Sequence, residues 1–251
     1  MHRGGVGHGH SMTSGLVSSI IPEDPSTWRD KVFITIDIEW ASDETILHVL
    51  EPIRSAGLFA TLFWTHPTPL IESIRADRSF ELGIHPNFNR LLEADSLPAP
   101  GGAESILRSC MDIVPEARAV RSHCVTDGSR LTGYFRAAGL RHVCNAFLPV
   151  VENMANRPWR SIPDDMITVP SCWADDVHCA KGWTISPAEL LQFPGLKVFN
   201  FHPVTVALNI SDLSHYTAAK PHYHDFDYLR ANRNTSRGVG DFLQELVHEI
   251  A

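Results

Sequence analysis

Four short polar clusters stand just after apolar runs of strand length: Asp37 with Glu39, His85 with Asn87 and Asn89, Arg121 with His123, and His202. Their residue types are those of metal ligation and proton transfer. Residues two apart on a strand share a face, so Asp37 and Glu39 can address one cavity. Such a pair suits two jobs, one carboxylate ligating a divalent ion and the other taking a proton from water. The spacing leaves open which does which. His85, in Gly83-Ile84-His85-Pro86-Asn87-Phe88-Asn89, is a candidate imidazole ligand whose approach Pro86 would fix. One helical turn would return Asn89 to the same side. Arg121 and His123 alternate about Ser122; an arginine there can pin a carboxylate in its ionised form, and His123 is a further ligand candidate. His202 ends the apolar Phe199-Asn200-Phe201 and is placed to protonate a leaving group. Such an acid needs a carboxylate partner, and Trp173-Ala174-Asp175-Asp176-Val177-His178 offers Asp176 or Asp175. His215, His222 and His224 fall in a Tyr-rich run, 215–228, that reads as a solvated loop.

The elements that must position these groups alternate in kind. Val32 to Ile38 is a β-branched, apolar strand. Ser42 caps a helix with Ile46, Val49, Leu50 and Ile53 on one face, stopped at Gly57. Strands follow at Phe59–Thr65, Glu81–His85, Ala119–Ser122 and His142–Asn145, with helices at about 68–77, at 103–114 and after a cap at Asp127. Past an irregular stretch with short strands near 166–169 and 171–173, Ser186 and Pro187 open another helix. Lys197–Phe201 is a late strand. Val239 to Ile250 is an amphipathic helix with Phe242, Leu243, Leu246, Val247 and Ile250 facing inward. This alternation implies parallel βαβ units in one α/β domain. All four clusters then sit at the carboxyl edge of the strands, where such folds assemble active sites.

The chain has 251 residues and a formal net charge of −8, a poor match for nucleic acid or an anionic membrane. Its five cysteines are widely spaced and form no CxxC, so neither a disulfide framework nor a thiolate zinc site is signalled. Reduced thiols, and with them a cytoplasmic location, are expected. The start is rich in Gly and His (His2, His8, His10), and the apolar stretch Leu16–Ile21 is too short for a signal peptide. Residues 1–25 are expected to be a mostly disordered lead-in to a single domain over 26–251. No segment reaches the apolar length of a membrane span. Nothing in the sequence specifies an oligomer.

Taken in order, these residues resemble the polysaccharide deacetylase superfamily, the nodulation-type carbohydrate esterases, from about Val32 to the last helix. Gly-Ile-His-Pro-Asn-Phe, Arg-Ser-His and Phe-His-Pro are together similar to a divergent WbmS-type branch linked with bacterial O-antigen polysaccharide. The resemblance implies a deformed parallel (β/α) barrel with the active site at the carboxyl ends of its strands. It implies removal of N-acetyl or O-acetyl groups from a polysaccharide or acetylated sugar, with one divalent metal, expected to be zinc. Asp37 would be the base, Glu39 the acidic ligand, Arg121 the group that steadies the base, and His202 the acid, with Asp176 its partner. Asn87, Asn89, Trp173 and Asp175 are expected to bind substrate. Two departures stand out. Asn89 replaces a second metal histidine, and His123 stands where the family has proline. His123 would then supply the missing imidazole, the metal being held by His85, His123 and Asp37, Glu39 or both. The alternatives are a non-sugar amide hydrolase on the same scaffold, or a catalytically silent carbohydrate-binding homologue that lost the metal.

Overall fold

The computed structural model describes residues 12–92, 101–150, 155–162 and 164–251. His2, His8 and His10 lie outside them. The described strands are β1 (Thr13–Ser14), β2 (Lys31–Asp37), β3 (Ala60–Trp64), β4 (Phe80–Ile84), β5 (Ala119–Val120), β6 (His142–Val143), β7 (Trp159–Arg160), β8 (Ile167–Thr168), β9 (Trp173–Ala174) and β10 (Lys197–Phe201). They form one sheet in the order β7-β8-β6-β5-β4-β3-β2-β10-β9, with β1 added to the start of β2. Among the described pairs only β7–β8 is antiparallel. The sheet curls into a half-barrel, the expected α/β architecture. Because the pairing is parallel, the carboxyl ends of β2, β4, β5 and β10 open on one rim.

The two faces of this sheet bury different partners. Ile34, Ile36, Leu62, Ile84 and Phe201 face outward into a core shared with the helices. One is Asp43–Ser55, where Ser42 Oγ accepts the Thr45 N–H and Ile46, Val49, Leu50 and Ile53 are buried. Another is Val239–Ile250, whose Phe242 stacks on Trp173 with ring centroids 4.1 Å apart. The opposite parity points inside. Phe33, Phe63, Ala119 and Val198 form a second, smaller cluster. The polar residues that follow them at even spacing, Thr35, Asp37, Arg121, Asn200 and His202, therefore line the throat and rim.

Two expectations change here. Residues 12–25 are not a loose lead-in. Val17 and Ile20 are fully buried against the inner cluster. The Val17 N–H donates to Thr61 Oγ1 (3.0 Å) and the Ser18 N–H to Glu81 Oε2 (3.1 Å). This segment closes the barrel at the amino ends of its strands, so its short apolar run packs although it is too short for a signal peptide. The stretch 215–228 is not a plain loop either. It holds most of helix Leu213–Ala219, a 3-10 turn Lys220–His222 and the first half of helix Phe226–Ala231, the two helices being capped by Asp212 and Asp225. Smaller differences are local. Asp127 does not cap the helix Ser129–Ala137; its Oδ1 accepts the N–H of Gly128, the residue at the cap position. Helices Asp175–Lys181 and Pro203–Leu208 were not anticipated, being too short to show a period.

Ile20→Ala should lower the stability measured by denaturant unfolding by about 2–5 kcal/mol, the range for emptying a buried aliphatic site. A change within about 0.5 kcal/mol would mean that the segment is not part of the core.

Candidate active site and metal centre

Arg121 leaves the end of β5 and runs inward beneath the rim. It is 1% exposed. Its Nη1 donates to Asp37 Oδ1 (3.0 Å), Thr35 Oγ1 (2.9 Å) and Asn200 Oδ1; Nη2 donates to Ser171 Oγ (3.0 Å) and Nε to the Cys144 carbonyl (3.2 Å). The Phe63 ring lies against the guanidinium at 4.5 Å. Asn200 Nδ2 completes the ring by donating to Asp37 Oδ2 (2.9 Å). Both Asp37 oxygens are thus occupied. Burial alone would favour the neutral acid, but Arg121, with His85 and His202, holds the carboxyl below the usual range.

Above this pair the rim gathers three donors. Glu39 Oε1 lies 3.0 Å from His123 Nδ1 and 3.9 Å from His85 Nε2, and the two imidazole nitrogens are 3.3 Å apart. Zinc bonds of about 2.0 Å at tetrahedral angles need donor separations of roughly 3.3 Å. The three edges bracket that value, and two imidazoles with one carboxylate form a catalytic zinc set that keeps positions free for solvent or substrate. The remaining nitrogen of His85, Nδ1, is buried without a hydrogen-bond partner and faces Asp37 Oδ1 at 3.8 Å. A carboxylate behind an imidazole is the usual arrangement around metal-bound histidine. Despite burial, His202, His123 and His85 drive Glu39 far below the normal carboxylate range.

His202 follows β10 and faces this cluster, its Nε2 3.7 Å from Asp37 Oδ2 and 3.8 Å from Glu39 Oε1. Behind it, Asp175 Oδ1 takes the Nδ1 hydrogen at 2.6 Å. Asp175 Oδ2 accepts the His202 N–H (2.7 Å) and the Thr205 hydroxyl. This fixes the tautomer, leaving Nε2 toward the cavity. Burial opposes charge on His202, yet Asp175 and Glu39 outweigh it and raise its pKa well above the ordinary value. Asp175, Asp176 and His202 also bring donor atoms within 4.8 Å of one another. That group is a poorer metal site, because both Asp175 oxygens are spent on hydrogen bonds. The cavity has a volume of about 450 Å³, with Asp37, Glu39, His85, Asp176 and His202 in its wall and Val125, Phe147 and Val177 as apolar lining.

The model of the WbmS-like polysaccharide deacetylase family matches residues 34–220. This chain belongs to that family. A crystal structure from Bordetella bronchiseptica, assigned to a polysaccharide deacetylase involved in O-antigen biosynthesis (WbmS), superposes with a TM-score of 0.88 at 35% identity, covering 95% of this chain and 98% of its own. A 4-alpha-glucanotransferase from Thermococcus litoralis reaches a TM-score of 0.42 at 12% identity over 69% of this chain and 33% of its own, too little to bear on the site. No curated protein matches the sequence.

Within this WbmS-like frame, Asp37, Glu39, His85, Arg121, His123 and His202 come together as the motifs suggested, partly for other reasons. Asp37 ends β2, but Glu39 reaches the cluster from a turn with φ 44°, followed by Trp40 at φ 58°. His123 likewise opens a tight turn whose Cys124 and Val125 have φ 54° and 47°. Each non-glycine residue in this region costs about 1–2 kcal/mol; strain of this kind collects at functional sites.

Five residues are placed differently from expectation. Asp175, not Asp176, is the partner of His202 and is not a substrate contact. Asp176 is exposed on the cavity wall, its Oδ1 accepting the Val177 N–H. Trp173 is fully buried in the outer core and cannot meet substrate. Asn87 and Asn89 are absent from the described cavity wall: Asn87 Oδ1 accepts the Asn89 N–H (2.9 Å), and Asn89 Nδ2 meets Cys124 Sγ at 3.6 Å. Three contributors were missed. Asn200 and Thr35 lie two before His202 and Asp37, so the alternation used elsewhere would have found them. Tyr223, whose hydroxyl donates to the Glu39 carbonyl at 2.8 Å, gave no local signal.

Removing the Asp175 charge should lower the pKa of His202, since that carboxylate is the strongest influence raising it. In metal-free protein, the His202 ring resonance of Asp175→Asn is expected to titrate at a distinctly lower pH than in the parent, and that of Asp176→Asn to move less. The reverse order would return the partner role to Asp176.

Proposed function

We propose that this chain is a metal-dependent hydrolase that removes N-acetyl groups from a polysaccharide or its sugar precursor. Membership of the WbmS-like family supports deacetylation. The observation that carries the finer reading is the opposition of two devices across one cavity. Glu39 and His85 line the cavity and meet His123 behind them, and His202, backed by Asp175, faces Glu39. The donor set fits zinc. When bound, the ion polarises the acetyl carbonyl and makes water acidic enough to attack near neutral pH.

The side chains divide the rest. Asp37, kept ionised by Arg121 and aimed by Asn200, accepts the proton of the attacking water. Arg121 spends its donors on Asp37, Thr35, Asn200, Ser171 and the Cys144 carbonyl, and so acts through Asp37. His202, held protonated on Nε2 by Asp175, gives its proton to the sugar nitrogen as the C–N bond breaks. An amine is a poor leaving group without that proton, whereas an alkoxide needs it less. A His202 whose proton is supported by Asp175 therefore favours N-acetyl over O-acetyl substrates. The relative from B. bronchiseptica is tied to O-antigen biosynthesis, so acetylated sugars of that polysaccharide class are the first substrates to examine.

Acetate release should be measured on matched N-acetyl and O-acetyl sugars and on small non-sugar amides. His202→Ala is expected to lower N-deacetylation by about 10²–10⁴-fold, the usual contribution of a proton-transfer group, with zinc content unchanged. Hydrolysis confined to non-sugar amides would replace the sugar reading. Full activity in His202→Ala would remove the acid from the mechanism.

A further inference from the structure

The turn Ile38-Glu39-Trp40-Ala41 is closed by the Ala41 N–H on the Ile38 carbonyl at 3.0 Å, with φ 44° and 58° at its two central residues. Two positive φ values in succession are the mark of a type I′ turn, which draws on Gly, Asn and Asp. Glu and Trp have no such preference, so the conformation is imposed from outside. Two bonds do so. The Trp40 N–H donates to Thr65 Oγ1 at 3.0 Å, just past the neighbouring strand β3. The Tyr223 phenol donates to the Glu39 carbonyl at 2.8 Å across 184 positions of sequence. Tyr223 is itself braced. It is half-buried, follows the 3-10 turn Lys220–His222, and meets the Tyr216 ring edge-on at 6.3 Å.

We infer that Tyr223 is a positioning residue that clamps the Glu39 carbonyl and so keeps the Glu39 carboxylate against His85 and His123. Without the clamp the turn can relax toward ordinary right-handed conformations, which point the side chain elsewhere. The Tyr223 hydroxyl bonds the Glu39 carbonyl, not its carboxylate; it acts through the backbone of the residue that carries the donor. It also lies just beyond the stretch 34–220 matched by the family model. The inference rests on the reading of Glu39 as a metal donor.

Tyr223→Phe removes only the hydroxyl. Zinc titration against a competing chromophoric chelator should show affinity weakened about 10-fold, in line with loss of a bond that orients a metal ligand. Made in a Trp40→Gly background, where glycine takes positive φ without strain, the same deletion should cost clearly less. An equal loss in both backgrounds, or no loss in either, overturns the clamp. A second arm needs no metal. In the metal-free protein the Ala41 amide should exchange about 2- to 10-fold faster in Tyr223→Phe, the effect of one lost hydrogen bond, with β3 amides unchanged. If the parent protein takes up no zinc, the donor role of Glu39 fails, and exchange at Ala41 alone decides the clamp: an unchanged rate overturns it.

Discussion

A guanidinium with almost no access to water sits in the throat of the half-barrel, and the rim is organised around it. Taking such an ion out of water costs several kcal/mol unless every face is matched. Arg121 meets that demand with Asp37, Thr35, Asn200, Ser171 and the Cys144 carbonyl, and with the Phe63 ring. These partners come from β2, β3, β10 and the chain beside β6 and β9. The same contacts that neutralise the charge therefore hold the strand ends in register.

From that pair follows a division among three carboxylates. Asp37 has both oxygens engaged by Arg121 and Asn200 and remains an anion below the rim. Glu39 stands on a strained turn with an oxygen turned toward two histidines. Asp175 is spent on His202 and its backbone. Three groups of similar intrinsic acidity are thus set in three different environments by what surrounds them. The spacing left Asp37 and Glu39 interchangeable as base and ligand; the occupied oxygens of Asp37 favour Glu39 as the metal donor. His123 stands 3.3 Å from His85, while Asn89 points to Cys124. That arrangement fits a histidine supplied by the third motif in place of the one lacking in the second.

Much of this was readable in the residues. Each cluster followed an apolar run, and parallel pairing made strand ends meet, so the rim could be named before its geometry was known. Ser42, Ser186 and the Val239–Ile250 face obeyed local rules of capping and period. What escaped depends on distant partners. The choice between Asp175 and Asp176 turns on a short helix, Asp175–Lys181, whose first residue looks back at β10. Trp173 is expected to bind substrate from the family resemblance, yet it is fully buried in the outer core. Val17 and Ile20 form too short a run to signal packing, and only the open base of the barrel gives them a place. Tyr223 acts on a residue 184 positions away. Among the described residues, no helix is long and apolar enough to cross a membrane. The cysteines described are all free, three of them buried.

The proposed metal centre is tested most directly by anomalous scattering at the zinc edge from crystals grown with zinc. The expected result is one strong peak at the rim, about 2.0–2.2 Å from donor atoms of Glu39, His85 and His123, with Asp37 still paired to Arg121. A peak held by Asp175 and Asp176, or by Asp37 without His123, or no peak at the rim at all, would contradict it.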